Sequence, residues 1–437
     1  MVECFWQQGS SGRHGGTDSN ENGGRVLGRV LHVVNGEHFA GAERVQDLLG
    51  GALPWFGYET GIACVKPGQF LEARKNRHVP VWECRMHCRL DLRPVRFLVR
   101  LIREHRYDLI HAHTPRALLV ASAAAALARV PLVYHIHSPA AADTTSRLRN
   151  MVNALFERTS LATADHLIAV SRSLRERYLR LGFARDRITV VSNGVPCGTR
   201  FPIRPFSPGE PVVFGIAALF RPRKGLEILL RSTADLLAAG YRLRLRAVGQ
   251  FETAEYERQI KTLATKLAIN DAIDWTGFSS SIEGELAQID CLVLPSLFGE
   301  GLPMVVLEAM ACGRPVIATD VEGTPEAIHH GENGLLAKPN DSVSLALEMK
   351  RVVDGVVNLQ PLAQRAAEDQ RRRFSVCSMT RGVAEVYDRV LGITDATTSR
   401  DCRKMPCIVS ACVPRDALET GNTLPIDGFM PTGELPV

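Results

Sequence analysis

The chain contains no run of 18 uncharged apolar residues, so no membrane-spanning helix is expected. Its start lacks the charged-then-apolar pattern of a secretory leader, which points to a cytoplasmic location. Aromatic residues are few, at 6%, and do not interleave with the basic ones, which argues against a nucleic-acid stacking platform. The charge surplus is a modest +5 over 437 residues. Cysteines are present, but the eleven are odd in number and scattered through apolar segments, the pattern of reduced thiols rather than of a disulfide framework. Cys84-x-x-His87-Cys88 and the trio Cys402, Cys407 and Cys412 lack a complementary ligand pair at zinc-site spacing, so no metal is assigned to either. With 45% apolar and 23% charged residues, the chain can bury two ordinary cores.

The most informative segment runs from Phe298 to Ala311, where Glu300 and Glu308 stand eight positions apart across a Gly-Pro turn. Apolar Ile289 to Pro295 before it predicts a buried strand, and the Leu, Glu, Ala and Met after it predict a helix. Strand-to-helix turns of this kind carry ligands in open α/β sheets. Backbone N–H groups near Gly301 and Leu302, with the helix dipole behind them, suit an anionic phosphate. A carboxylate is poorly placed against that charge, so Glu300 is expected to accept hydrogen bonds from neutral hydroxyls, and Glu308 to hold vicinal hydroxyls such as those of a ribose. Together these features suggest a sugar nucleotide.

Phe-Gly-Glu-Gly-Leu-Pro followed by Leu-Glu-Ala-Met-Ala-Cys-Gly-Arg-Pro resembles the Glu-x7-Glu signature of the retaining, metal-independent glycosyltransferases of family 4. The resemblance extends over roughly residues 25 to 392 in motif order. It implies the α/β GT-B fold, two Rossmann-like doubly wound domains facing a cleft, and a nucleoside diphosphate sugar as donor with no further cofactor. Val212 to Leu219 reads as the first strand of the second domain, and Phe220 to Gly225 resembles the family's diphosphate loop. Lys224-Gly225 matches; the usual Gly-Arg is replaced by Ala217-Ala218. Arg221 or Arg223 could supply the missing charge, and Arg221 is the choice made here. Gly249 ends the next strand, where a side chain would obstruct a close ligand. Asp274 to Phe278 resembles the segment along the nucleotide base, and Gly323-Thr324-Pro325-Glu326 the family's Gly-x-x-Glu step. Asn333-Gly334 reads as a hairpin-like turn.

In the first domain, residues 25–34 give a strand and Ala40-Gly41-Ala42 opens a helix, leaving Gly41 as the close-approach glycine of the family's Gly-Gly phosphate loop. Two histidine pairs, His111 with His113 and His135 with His137, end apolar runs, and strand alternation puts each pair on one face. No carboxylate or Cys accompanies them, so a metal is not expected. By resemblance, His137 takes the position of the family's active-site His near the donor sugar, and His113 lies toward the acceptor.

The domain layout that follows is a disordered segment over 1–24, an acceptor-side domain over 25–200, a nucleotide-sugar domain over 201–375, a returning helix over 376–395, and a flexible tail over 396–437. A helix from Asp91 to Arg106 carries Arg93, Arg96, Arg100 and Arg103 opposite an apolar face. That basic face leaves peripheral contact with anionic lipid open, at about 1 kcal/mol per basic residue. The expected activity is transfer of a sugar to a hydroxyl acceptor, a glycan or a lipid-linked one, with Glu300, His137 and Lys224 at the reacting centre and Gly41, Arg221, Gly249, Gly301, Leu302 and Glu308 around the donor. A sugar-nucleotide epimerase of the same fold and a non-catalytic nucleotide-binding protein are the alternatives.

Overall fold

A computed structural model of the chain describes residues 26–88, 91–138, 161–203 and 210–394. The segments expected to be a disordered N-terminus and a flexible tail lie outside the described residues, as do Cys402, Cys407 and Cys412.

The strands of the first half, β1 (Gly28–Val34), β2 (Tyr58–Cys64), β3 (Val81–Glu83), β4 (Leu109–Ala112), β5 (Leu132–Ile136), β6 (His166–Ala169) and β7 (Ile188–Val190), form one parallel sheet in the order β3-β2-β1-β4-β5-β6-β7. Those of the second half, β8 (Val212–Ala217), β9 (Leu243–Val248), β10 (Ile273–Gly277), β11 (Cys291–Leu294), β12 (Val316–Thr319) and β13 (Leu335–Ala337), form a second in the order β10-β9-β8-β11-β12-β13. Intervening helices cover the faces, so the central strands β4, β5 and β11 are buried throughout, as parallel strands must be.

Each order reverses once, between β1 and β4 in the first sheet and between β8 and β11 in the second. A doubly wound sheet opens a crevice at that reversal, beyond the carboxyl ends of the two strands. The loops leaving β1, β4, β8 and β11 carry Gly41, His113, Lys224 and Glu300. Topology therefore places these four residues on the strand ends where an open sheet binds ligands.

The helix Val376–Leu391 begins on a Ser375 side chain that accepts from Ser378 N. It returns to the first sheet, where Tyr58 Oη donates to Asp388 at 2.6 Å and Tyr387 Oη lies 2.6 Å from His111 Nδ1. Cys377 on this helix is disulfide-bonded, whereas Cys64, Cys84, Cys88, Cys291 and Cys312 are free. The expectation of wholly reduced thiols is corrected at that one position: an odd count and scattered placement argue against a framework of bridges, not against a single bond. Asn333-Gly334 is also not a hairpin, because β13 pairs parallel with β12 and the turn only brings the chain back to the sheet. Among the described residues no helix is long and apolar enough to cross a membrane. The helix Arg93–His105 forms as expected, with Arg93 tied to Asp91 and Arg100 to Glu104.

Candidate active site

Lys224 closes a short turn, Pro222–Lys224, after β8. Gly225 follows at φ +67°, and a Cβ there would run into the Pro295 carbonyl, so only glycine lets the β8 loop lie against the β11 loop. Leu297 N donates to Arg223 O at 2.8 Å across the same junction. Lys224 Nζ is ion-paired with the Glu300 carboxylate, and Ser296 Oγ donates to the same Oε1 at 2.6 Å. Arg223 Nη1 donates to Gly299 O at 3.0 Å and lies 4.0 Å from Glu300. Glu300 N in turn donates to Glu322 at 3.1 Å.

Burial pushes the Glu300 carboxyl up, but Lys224, Arg223 and the Ser296 hydroxyl outweigh it and hold the group below the ordinary carboxylate range. Burial draws the Lys224 amine down against the pull of Glu300. An ionised, buried carboxylate thus sits between the Lys224 ammonium and the Arg223 guanidinium, leaving the cluster a surplus of positive charge.

The loop's two arginines part company here. Arg221 is ion-paired with Glu252 at 2.9 Å, while Arg223 makes the direct contact with the Glu300 loop. Sequence reasoning preferred Arg221 on spacing alone; it had no means of seeing that Arg223 reaches Gly299, a residue 76 positions away. Gly249, at φ +140°, would drive a Cβ into the Ala218 carbonyl, so its glycine is explained by the chain itself before any ligand is considered.

Gly301 and Leu302 precede the helix Met304–Ala311 instead of opening it. A Cβ on Gly301 would meet the His137 carbonyl, and one on Gly323 would meet the Gly301 carbonyl. Asn193 Nδ2 donates to Leu302 O at 2.9 Å. Glu326 of the Gly-x-x-Glu step accepts from Arg172 N and Ser173 N, both at 2.8 Å, and so caps a helix of the first domain. These contacts set the His137 backbone against the loop that carries Glu300. Gly41 differs: a Cβ there would find nothing nearer than Met304 Cγ at 3.5 Å, so protein packing alone does not demand the glycine.

Glu308 is buried on its helix and ion-paired with Arg44 of the first domain. Arg44 was missed from the sequence, as were Ser296 and Glu322. Ser296 stands four residues before Glu300 and was legible in principle; Arg44 carries no local signal.

The two histidine pairs are not isolated. β1, β4 and β5 are neighbours, and their registry gathers the buried His32, His111, His113 and His135 and the half-buried His137 into one cluster. His32 Nδ1 lies 2.9 Å from His113 Nε2, and His113 Nδ1 lies 3.2 Å from His137 Nε2. Burial lowers the pKa of His32 and of His137 to about 3. Elsewhere, burial and then Arg389 and Arg187 lower that of His166 to about 4, where its Nε2 meets Thr189 Oγ1 at 2.8 Å.

His166 supplies a pH test of stability. Between its ordinary 6.5 and about 4, the unfolded chain binds a proton on this ring that the folded chain does not. Stability therefore falls as pH drops through that window, by up to about 1.4 kcal/mol per pH unit. In urea unfolding at pH 7 and pH 5, His166→Asn should shrink the stability difference between the two by about 2 kcal/mol. A difference that survives the substitution would mean the folded chain protonates this ring normally.

Two parallel-sheet domains whose switch-point loops meet are the GT-B architecture of glycosyltransferases. The structure of Anabaena HepE in complex with UDP-glucose superposes with a TM-score of 0.71 at 25% identity, covering 83% of this chain and all of that one. The model described as "Glycosyl transferases group 1" matches residues 200–373, and that described as "Glycosyltransferase Family 4" matches residues 39–198. A D-inositol 3-phosphate glycosyltransferase of Saccharomonospora viridis is 30% identical over 64% of this chain and 70% of its own length. WcaL of Salmonella typhimurium, assigned to colanic acid biosynthesis as a glycosyltransferase, is 28% identical over 60% of this chain, which spans 64% of that protein's length. The chain belongs to glycosyltransferase family 4.

Proposed function

We propose that the protein is a retaining, metal-independent glycosyltransferase that moves a sugar from a nucleoside diphosphate sugar to a hydroxyl of a glycan or lipid-linked acceptor. The observation that carries this reading is the meeting of Lys224, Arg223 and Glu300 where the β8 and β11 loops touch. Cleaving the glycosidic C1–O bond adds negative charge to the departing diphosphate and leaves positive charge on the sugar. Lys224, with Arg223 and Arg221 beside it, is placed to stabilise the former in a site where such contacts are strong. Gly41 and Gly249 leave room along the donor, and the N–H groups near Gly301 and Leu302 add donors.

Glu300 orients sugar hydroxyls and at the same time holds Lys224. His137, whose backbone packs against Gly301, faces the donor sugar. The acceptor hydroxyl attacks on the face from which the diphosphate leaves, and its proton passes to the departing phosphate oxygen. Configuration at C1 is kept. Relatives named for polysaccharide and inositol phosphate glycosylation, and the UDP-glucose complex of HepE, support the substrate class. A cytoplasmic location, with the basic helix Arg93–His105 touching anionic lipid, suits a lipid-linked acceptor.

Calorimetry with a panel of nucleoside diphosphates, followed by donor turnover with and without an acceptor extract, tests the reading. Binding of one nucleotide and acceptor-dependent release of it are expected. Nucleotide binding without turnover would instead indicate a non-catalytic protein, and acceptor-independent release an epimerase. Turnover should persist in EDTA, because Lys and Arg take the neutralising role of a metal; loss in EDTA that Mg²⁺ or Mn²⁺ restores would overturn metal independence.

Glu308 is proposed to hold the ribose, and to do so it must exchange or share its partner Arg44. Glu308→Gln should weaken nucleoside diphosphate binding at least about tenfold by calorimetry. Affinity equal to wild type would confine Glu308 to its ion pair.

A further inference from the structure

Three of the clustered histidines, His113, His135 and His137, offer ligand nitrogens that all lie within 4.8 Å of one another. The 3.2 Å between His113 Nδ1 and His137 Nε2 is close to the separation of about 3.3 Å that two nitrogens take at 2.0–2.1 Å from a tetrahedral cation. Both nitrogens of His135 are buried and meet no hydrogen-bond partner among the described residues, and His137 Nδ1 is in the same condition. Such groups are costly to bury unmatched, and a cation would satisfy one of the two His135 nitrogens, while His137 would bind through Nε2 rather than through its unpartnered Nδ1. A ligand at His113 Nδ1 also leaves His113 Nε2 free to donate to His32 Nδ1 at 2.9 Å, the outer hydrogen bond that fixes a metal-bound imidazole.

A second trio, His32, His111 and His113, has the same spacing, but all three are fully enclosed and His111 Nδ1 is already engaged by Tyr387. His137 is only half-buried and gives the first trio an entry path. We propose that His113, His135 and His137 form a binding site for a first-row divalent cation of the zinc class, with a fourth position open to water. Three imidazoles select such ions over Mg²⁺ and Ca²⁺, which take oxygen ligands. The site is separate from the charge-neutralising role assigned to Lys224 and Arg223 but shares His137, the group proposed to face the donor sugar, so it is tested without donor and stands whether or not the chain transfers a sugar.

Titration of the full chain with Co²⁺ at pH 8, after chelator treatment and without donor, tests it by visible absorption. One equivalent should give the intense d–d bands of a tetrahedral nitrogen site, and Zn²⁺ should abolish them. His135→Ala and His137→Asn should each weaken Co²⁺ at least about tenfold, while His166→Asn, outside the cluster, leaves it unchanged. Circular dichroism checks each fold, and half-buried His137→Asn carries the test if His135→Ala does not fold. No d–d band, a sulfur-to-cobalt charge-transfer band marking thiolate ligands, or an affinity that His137→Asn leaves intact would overturn the proposal. The cluster would then be a hydrogen-bonded stack and nothing more.

Discussion

Lys224→Ala is expected to lower kcat by on the order of 10²-fold or more, with a smaller change in donor KM. The lysine side chain is only 15% exposed and is held by Glu300, so it is already oriented before a donor arrives. A preorganised cation helps most when charge develops on the leaving group, which is why kcat should move more than KM. Removing it has a second consequence: Glu300 keeps the Ser296 hydroxyl and the more distant Arg223 but loses its closest counter-charge. Lys224→Arg would keep the charge, yet its planar fork does not match a point contact with Oε1, and only partial rescue is expected. Steady-state kinetics on the two variants decide the matter. A near-normal kcat in Lys224→Ala would remove the lysine from the reacting centre and leave neutralisation to the arginines. The structure gives Arg223 the contact with the Glu300 loop, so Arg223→Ala should now be tested beside Arg221→Ala on equal terms.

Gly301→Ala should be nearly as damaging, for a steric reason. The added methyl would occupy the space of the His137 carbonyl, and Val170 also crowds the position. Because the obstacle is backbone, neither side can yield without moving the Glu300 loop away from β5. A displacement of about 1 Å at a reacting centre costs on the order of 10²-fold in rate, so kcat/KM should fall by about that much while circular dichroism stays that of the wild type. Wild-type kinetics would mean that the two domains do not close on one another through this loop during turnover.

The parts of this molecule that were readable in its sequence are those where local pattern and final geometry coincide. Glu300, Gly301 and Glu308 belong to one strand–turn–helix unit, so spacing along the chain maps directly onto spacing in the site. Lys224 is similar, held by a tight turn at the end of β8. Contacts across long separations were not legible. Arg44 lies 264 residues from Glu308 and meets it only because the two domains face each other. Each histidine pair was read by itself, and their gathering with His32 into one cluster was not legible. The order β1-β4-β5 brings them together, since adjacent strands stack their side chains in registry. Asn333-Gly334 shows the opposite failure, in which turn chemistry was read correctly as a turn but carried no information about strand direction. Gly249 had a plausible ligand-related reason, and the Ala218 carbonyl gives it a structural one.

The anomeric configuration of the product, followed by proton NMR as a nucleoside diphosphate α-glucose or α-galactose donor is consumed in the presence of acceptor, tests the central claim most directly. The proposed attack of the acceptor hydroxyl on the face from which the diphosphate leaves, with no enzymic group assigned as nucleophile, predicts that the first product formed is the α-glycoside and that nucleotide appears in equal amount. A β-glycoside as first product would contradict it, as would release of nucleotide with no glycoside formed.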